Sequence, residues 1–148
     1  MFSTGWLLFN NKILTVALLS WLAAQSLKVI ISIVRSGKID YHRFIGAGGM
    51  PSSHSSLAMG LATTIGIEHG WDSTLFALAL VLALIIMYDA ASLRRAAGQQ
   101  AEVLNKMLDE LFHDGRIREE RLKELLGHTP LEVLAGALLG IIMAFWLK

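Results

Sequence analysis

The sequence predicts an all-α integral membrane protein, a bundle of about four transmembrane helices that forms a single domain over residues 1–148. Of its residues, 54% are hydrophobic, and the mean hydropathy of +0.54 lies well above the usual range for a soluble domain of this size. Four apolar stretches are separated by polar connections, and lysines and arginines are concentrated in two of those connections. Together these observations predict both the fold class and the orientation of the helices.

Each of the four apolar stretches is predicted to form a helix of the bundle from its length and composition. Residues 13–34 are long enough for a hydrocarbon core, which needs about 20 mostly apolar residues. Residues 55–67 are fewer and rich in Gly, Thr and Ala, which suits a helix packed inside a bundle. Residues 75–88 and 133–147 are nearly unbroken apolar runs. Residues 1–12 lack a basic leader and a small-residue cleavage site, so we expect the first run to be retained.

The charges indicate which connections face the cytoplasm. The connection between the second and third predicted helices holds Glu68 and Asp72 but no Lys or Arg, whereas the other two connections are basic. Basic connections stay on the cytoplasmic side of a bacterial inner membrane or an organellar membrane. Residues from about 98 to 127 carry apolar positions at helical spacing, broken at Asp114 and Gly115. They predict a cytoplasm-facing amphipathic helical hairpin between helices three and four.

Composition also narrows the classes of function. The chain has no cysteine, which removes disulfides, thiolate metal sites and thiol nucleophiles. Its net charge of +1 gives no basic footprint for nucleic acid, which is therefore not an expected partner, whereas the bilayer is. Gly136 and Gly140 form a small-xxx-small pair that packs another helix closely, in the same chain or in a second copy. Because four short helices make a thin bundle, we expect a homo-oligomer.

The most informative stretch is 48–56, with the sequence Gly-Gly-Met-Pro-Ser-Ser-His-Ser-Ser, at the mouth of the second helix. Backbone N–H groups at a helix start, hydroxyls and a permissive glycine such as Gly49 make an anion pocket. His54 adds a proton that moves near neutral pH. The alternative interpretation is a serine-rich N-cap with an incidental histidine.

Four crossings would bring further polar groups to the same membrane face. They are Lys28 and Arg35 near the end of the first helix, Asp89, Arg94 and Arg95 at the end of the third, and His128 before the fourth. A charged side chain at membrane depth costs about 2.5 kcal/mol or more, so such groups face the bundle interior and pair there. The sequence therefore predicts a basic, hydroxyl-lined pocket with two histidines.

His128 and Glu132 are four residues apart at the start of the fourth helix, which places them on one helical face. The carboxylate then holds one ring nitrogen and leaves the other able to attack a substrate. The alternative is an interfacial histidine next to a glutamate that the helix N-terminus favours for its charge.

Pro51-Ser52-Ser53-His54, taken together with the run from His128 to Glu132, resembles the type 2 phosphatidic acid phosphatase superfamily, which also contains the vanadium haloperoxidases. Residues 48–55, 88–101 and 125–128 look like its small, divergent membrane branch, and the likeness extends from about Gln25 to about Gly140. The resemblance implies a membrane phosphatase without metal or other cofactor. Its substrate would be a lipid or polyprenyl phosphate or pyrophosphate monoester, hydrolysed through a phosphohistidine on the cytoplasmic side.

The resemblance also implies a role for each site residue. His128 would be the nucleophile, Glu132 its orienting carboxylate, and His54 the acid that protonates the leaving alcohol. The phosphate ligands would be Ser52, Ser53, Arg94 or Arg95, and Lys28 with Arg35, with Lys38 in reserve and Gly49 and Asp89 as accessory residues.

Three positions depart from the superfamily pattern. Ser36 stands where the first motif has proline, and Glu132 replaces an aspartate. More than thirty residues separate Arg95 from His128, so the predicted hairpin must fold back to reunite them.

Two alternatives use the same pocket. One is a non-catalytic lipid-phosphate binder or transport component, in which the cationic groups hold a head group and neither histidine reacts. The other is a metal-dependent variant in which His54, Asp89, His128 and Glu132 supply nitrogen and oxygen ligands to a divalent cation. Asp89 has a further interpretation, the neutralisation of Lys28 or an arginine across the bundle.

Overall fold

The computed structural model describes residues 10–36, 49–111 and 128–148, without the side chains of 35–36, 93–95, 97 and 108–111. These residues contain five helices and no strand, which confirms the all-α prediction for the described part of the chain. In chain order the helices are α1 (Lys12–Ser36), α2 (Ser53–His69), α3 (Thr74–Ala91), α4 (Leu93–Leu111) and α5 (Pro130–Trp146).

Each predicted crossing coincides with a helix that extends slightly past the predicted limits at one or both ends. Two of these helices, over Lys12–Val34 and Thr74–Ala91, are long and apolar enough to cross a membrane. The 17 residues of α5 form a shorter apolar helix, whereas α2 is made largely of small and hydroxyl side chains. Four crossings therefore stays a prediction.

The predicted surface hairpin needs one correction. Its first helix, α4, begins at Leu93 and not near residue 98, with Ser92 alone between it and α3. Gly98 lies inside this helix, where an isolated glycine is tolerated at a cost of about 1 kcal/mol relative to alanine. Arg94 and Arg95 consequently belong to the first turn of α4. Residues 112–127, the second half of the hairpin, lie outside the described residues.

Helix α2 occupies the centre of the bundle and contacts α1, α3 and α5. Its buried residues are small or carry a hydroxyl, namely Ser53, Ser55, Ser56, Ala58, Gly60, Ala62, Thr63, Thr64 and Gly66. Large apolar side chains lie mostly on the outside instead, as on α3, where Leu75, Leu78 and Ile85 are exposed. Small residues inside and large apolar residues outside suit helices that pack closely and face lipid.

The interface between α2 and α5 depends on two glycines of α5. A Cβ atom on Gly136 would overlap the carbonyl oxygen of Ser52, and one on Gly140 would overlap the carbonyl oxygen of Ser56. The small-xxx-small pair of the sequence thus packs against α2 of the same chain. Association with a second copy stays a prediction that this interface does not address.

Three hydroxyl groups buried in the bundle donate to backbone carbonyls. Ser20 Oγ donates to the Val16 carbonyl at 2.8 Å, and Ser56 Oγ donates to the Ser20 carbonyl at 2.9 Å, which joins α2 to α1. Thr64 Oγ1 donates to the Gly60 carbonyl at 2.7 Å. Such pairing matters inside a membrane, because an unsatisfied polar group there has no water to bind.

Replacing Gly136 with valine tests the close approach of α5 to α2. The added side chain meets the Ser52 backbone, so we expect a loss of roughly 2 kcal/mol or more in unfolding free energy. Thermal unfolding in detergent measures this change. The control is Ala135→Val, which creates the same valine side chain at a partly exposed neighbouring position. Equal melting temperatures for the two variants would contradict the packing described for α2 and α5.

Candidate functional site

The site forms where the N-terminus of α5 meets the start of α2 and the end of α3. Thr129 is the N-cap of α5 and Pro130 is its first residue, both of which are favoured at helix starts. Thr129 Oγ1 accepts a hydrogen bond from Glu132 N at 3.3 Å, and Glu132 Oε2 accepts one from Thr129 N at 2.9 Å. This reciprocal pair is a capping box, which fixes both the helix start and the Glu132 side chain.

His128, the residue before the cap, is 2% exposed. Its backbone N–H donates to the Ala90 carbonyl at 3.1 Å, and its Nδ1 lies 3.3 Å from Glu132 Oε2. An ionised carboxylate can only accept, so this contact assigns the ring proton to Nδ1. Nε2 then carries the lone pair. It is buried and has no hydrogen-bond partner among the described residues.

The surroundings of His128 favour its neutral form. Burial is the largest cause that lowers the pKa of His128, and the positive charges of Lys28 and His54 act in the same direction. The hydrogen bond and negative charge of Glu132 oppose this shift without cancelling it. A neutral imidazole with its proton on Nδ1 has a nucleophilic Nε2.

Ser52 connects the loop before α2 to α5. Its backbone N–H donates to the carbonyl oxygen of Glu132 at 2.9 Å. Its Oγ caps α2, accepting from Ser55 N at 3.4 Å and from Ser55 Oγ at 3.0 Å. The serine-rich cap considered from the sequence therefore exists, at the same position that was predicted to bind anions. Ser52 and Ser53 are both buried. A cap and an anion site are compatible, since both use the exposed N–H groups of a helix start.

Lys28 reaches this region from α1 and is 3% exposed. Gly49 has φ +86°, and a Cβ atom there would lie 3.3 Å from Lys28 Cγ. A glycine at this position therefore lets the loop lie directly over the lysine stem. The Lys28 charge interacts with Glu132 and with His128, so these three side chains form one electrostatic cluster.

His54 and Asp89 flank the cluster. His54 is exposed on the first turn of α2, and its charge acts on His128. Asp89 is partly exposed in the last turn of α3 and directly precedes Ala90, whose carbonyl binds the His128 backbone. The structure thus brings together segments from four helices that are far apart in sequence.

The side chains of four predicted phosphate ligands are not among the described parts of the structure. Lys38 lies outside the described residues, as do the side chains of Arg35, Arg94 and Arg95, whose backbones belong to α1 and α4. Arg94 follows Ala90 by four residues, which keeps its backbone near the junction with His128.

The arrangement gives no support to the metal-binding alternative. Across residues 10–36, 49–111 and 128–148, no three His, Asp or Glu side chains form a cluster that could hold a metal ion. A separate cleft of about 410 Å³ lies at the other end of α1 and α2, lined by Asn11, Lys12, Glu68 and His69 among others. Lys12 and Lys28 are 16 residues apart on one helix, which is about 24 Å, so this cleft is remote from His128.

Thr129 and the Ala90 carbonyl are members of this site that the sequence interpretation did not single out. The pattern Thr129-x-x-Glu132 before an apolar run is a capping-box signature, and it could have identified Thr129 from the sequence. A backbone carbonyl such as that of Ala90 has no sequence signature, because every residue carries one.

Comparison with known proteins adds a family match. A family model described as "Divergent PAP2 family" matches residues 9–143. The chain is 40% identical over 147 residues to a Bacillus subtilis protein named "Uncharacterized membrane protein YuiD", covering 92% of this chain and 93% of that protein. No solved structure matches.

The protonation state of His128 can be measured by ¹⁵N NMR of histidine-labelled protein, with the His128→Ala spectrum for assignment. We expect a neutral Nδ1–H tautomer at pH 7 and a pKa below the ordinary 6.5. Because the folded pKa is the lower one, His128 contributes to stability fully above pH 6.5, and this contribution is lost as the pH falls through the folded pKa. A pKa above 6.5, or a predominant Nε2–H tautomer, would contradict the site geometry.

Proposed function

The chain belongs to the divergent PAP2 family, and from this membership and the geometry around His128 we propose that it is a membrane phosphatase acting on a lipid phosphate or pyrophosphate monoester. The observation that carries the proposal is the buried Nε2 of His128, which has no partner among the described residues while Glu132 holds Nδ1. A structural histidine in such a place would usually have both ring nitrogens satisfied. An unused lone pair beside cationic groups suits attack on a phosphoryl group.

The proposed reaction has two steps. Nε2 of His128 attacks the terminal phosphorus, so that a P–N bond forms and the P–O bond to the leaving group breaks. The leaving group is a lipid monophosphate for a pyrophosphate and an alcohol for a phosphate monoester. His54 donates its proton to that leaving group, because it lies close enough to His128 for their charges to interact and is open to solvent. Water then attacks the phosphohistidine with His54 as base, which releases inorganic phosphate and restores His128.

Charge develops on the phosphoryl oxygens during both steps, and the site offers several groups to stabilise it. Lys28 is a cation inside the cluster, and the N-terminus of α2 presents backbone N–H groups beside Ser52 and Ser53. Arg94 and Arg95 are proposed to add a guanidinium, which suits the planar spread of charge better than an ammonium does. No metal is required for this mechanism.

The membrane setting supports a substrate with an apolar stem. Lys28 belongs to a helix long and apolar enough to cross a membrane, and His128 is bonded to the last turn of another. We propose four crossings with this end of the bundle at the cytoplasmic face, because the basic connections adjoin it. A phosphate at the membrane surface would reach the cluster while its stem stays in lipid.

Phosphate release from a panel of lipid and polyprenyl phosphates tests the proposal. We expect wild-type protein to be active, His128→Ala to lose roughly a thousandfold or more in kcat, and His54→Ala to lose about a hundredfold or more. The matched control is His69→Ala, since His69 is exposed at the far end of α2, about 22 Å along the helix from His54.

Two results would overturn the assignment. Turnover by His128→Ala at the native rate would remove the nucleophile. A wild-type protein that binds lipid phosphates but releases no phosphate from any of them would favour the binding or transport alternative.

A further inference from the structure

One oxygen atom of Glu132 serves two purposes. Oε2 accepts from the backbone N–H of Thr129 at 2.9 Å and lies 3.3 Å from Nδ1 of His128. Thr129 Oγ1 in turn accepts from the backbone N–H of Glu132 at 3.3 Å. The carboxylate that orients the imidazole is therefore also a member of the capping box of α5.

This double use accounts for a glutamate at this position. In a capping box, the side chain three residues after the cap must reach back across a helical turn to the backbone N–H of the cap. Aspartate is one methylene shorter than glutamate. The longer side chain lets a single carboxylate oxygen meet both the Thr129 N–H and the His128 ring.

The backbone of Glu132 is held separately from its side chain. Its carbonyl oxygen accepts from Ser52 N, and α5 packs on α2 through Gly136 and Gly140. Loss of the Thr129 hydroxyl would therefore leave α5 docked, while the first turn, which sets the direction of the Glu132 side chain, would lose its cap.

We propose that Thr129 is a positioning residue for His128: its hydroxyl caps the first turn of α5, and that turn carries the Glu132 side chain whose Oε2 meets the His128 ring. Its importance for turnover rests on the proposed function, in which Nε2 of His128 is the nucleophile. Its effect on the His128 ring does not, because the contact with Glu132 sets the tautomer whether or not the protein turns over a substrate.

The test compares Thr129→Ala and Thr129→Ser with a matched cap removal elsewhere. Ser73 caps α3 in the same way, its Oγ accepting from Phe76 N at 3.2 Å, so Ser73→Ala also removes an N-cap hydroxyl. We expect Thr129→Ala to shift the ¹⁵N signals of His128 toward a mixture of tautomers and to lower kcat by about 10-fold to 100-fold with little change in KM. Thr129→Ser should restore both readouts.

The outcome that would overturn the proposal is equally specific. If Thr129→Ala and Ser73→Ala lower the melting temperature alike, and both leave the His128 signals and kcat at wild-type values, Thr129 is only a helix cap. If the wild-type protein releases no phosphate at all, the proposed function fails. The comparison of tautomers still decides the role of Thr129 in that case, because it requires no turnover.

Discussion

Two main-chain hydrogen bonds around α5 determine the rest of the arrangement. Ser52 N–H binds the Glu132 carbonyl, and His128 N–H binds the Ala90 carbonyl, so the start of α5 is fixed to the loop before α2 and to the end of α3. Leaving such a buried group unpaired costs about 1–3 kcal/mol, which makes each bond a strong constraint on register. The glycines at 136 and 140 permit the close approach that these bonds require, because any larger residue would meet the α2 backbone. Sequence segments more than seventy residues apart consequently share one site.

The chemistry of the site follows from that constraint. A histidine buried at a helix junction and held there by its backbone has little room to turn. Burial favours its neutral form, and Glu132 accepts a hydrogen bond from Nδ1–H. Lys28 approaches from α1 beneath Gly49, where a side chain on the loop would press against its stem. The same few contacts therefore set the position, the tautomer and the electrostatic environment of one imidazole nitrogen. Such fixed positioning is typical of sites whose geometry is set before a substrate arrives.

The helices and the contact between His128 and Glu132 could be predicted from the sequence. The backbone bonds that hold the site together could not, for a physical reason. The apolar runs at 13–34, 75–88 and 133–147 lie within a few residues of the helices at 12–36, 74–91 and 130–146, since length and hydrophobicity are properties of the residues themselves. The spacing of His128 and Glu132 predicted their contact, which is present. The hairpin was predicted to start at about residue 98, whereas the helix there, α4, begins at Leu93 and continues through Gly98. The hydrogen bonds from Ser52 N–H and His128 N–H to backbone carbonyls could not be predicted from the sequence. Their partners depend on tertiary packing and not on residue type.

In the proposed reaction Nε2 of His128 forms a bond to phosphorus, and trapping that bond is the most direct test. Wild-type protein would be mixed with a ³²P-labelled lipid phosphate and quenched in alkali within one turnover, and its peptides would then be analysed by mass spectrometry. We expect a phosphoryl group that is stable to alkali and labile to acid on the peptide containing His128. In Glu132→Gln we expect no more than a trace of it on that peptide. Phosphate release without any phosphohistidine, or a label on a different residue, would contradict the proposed reaction.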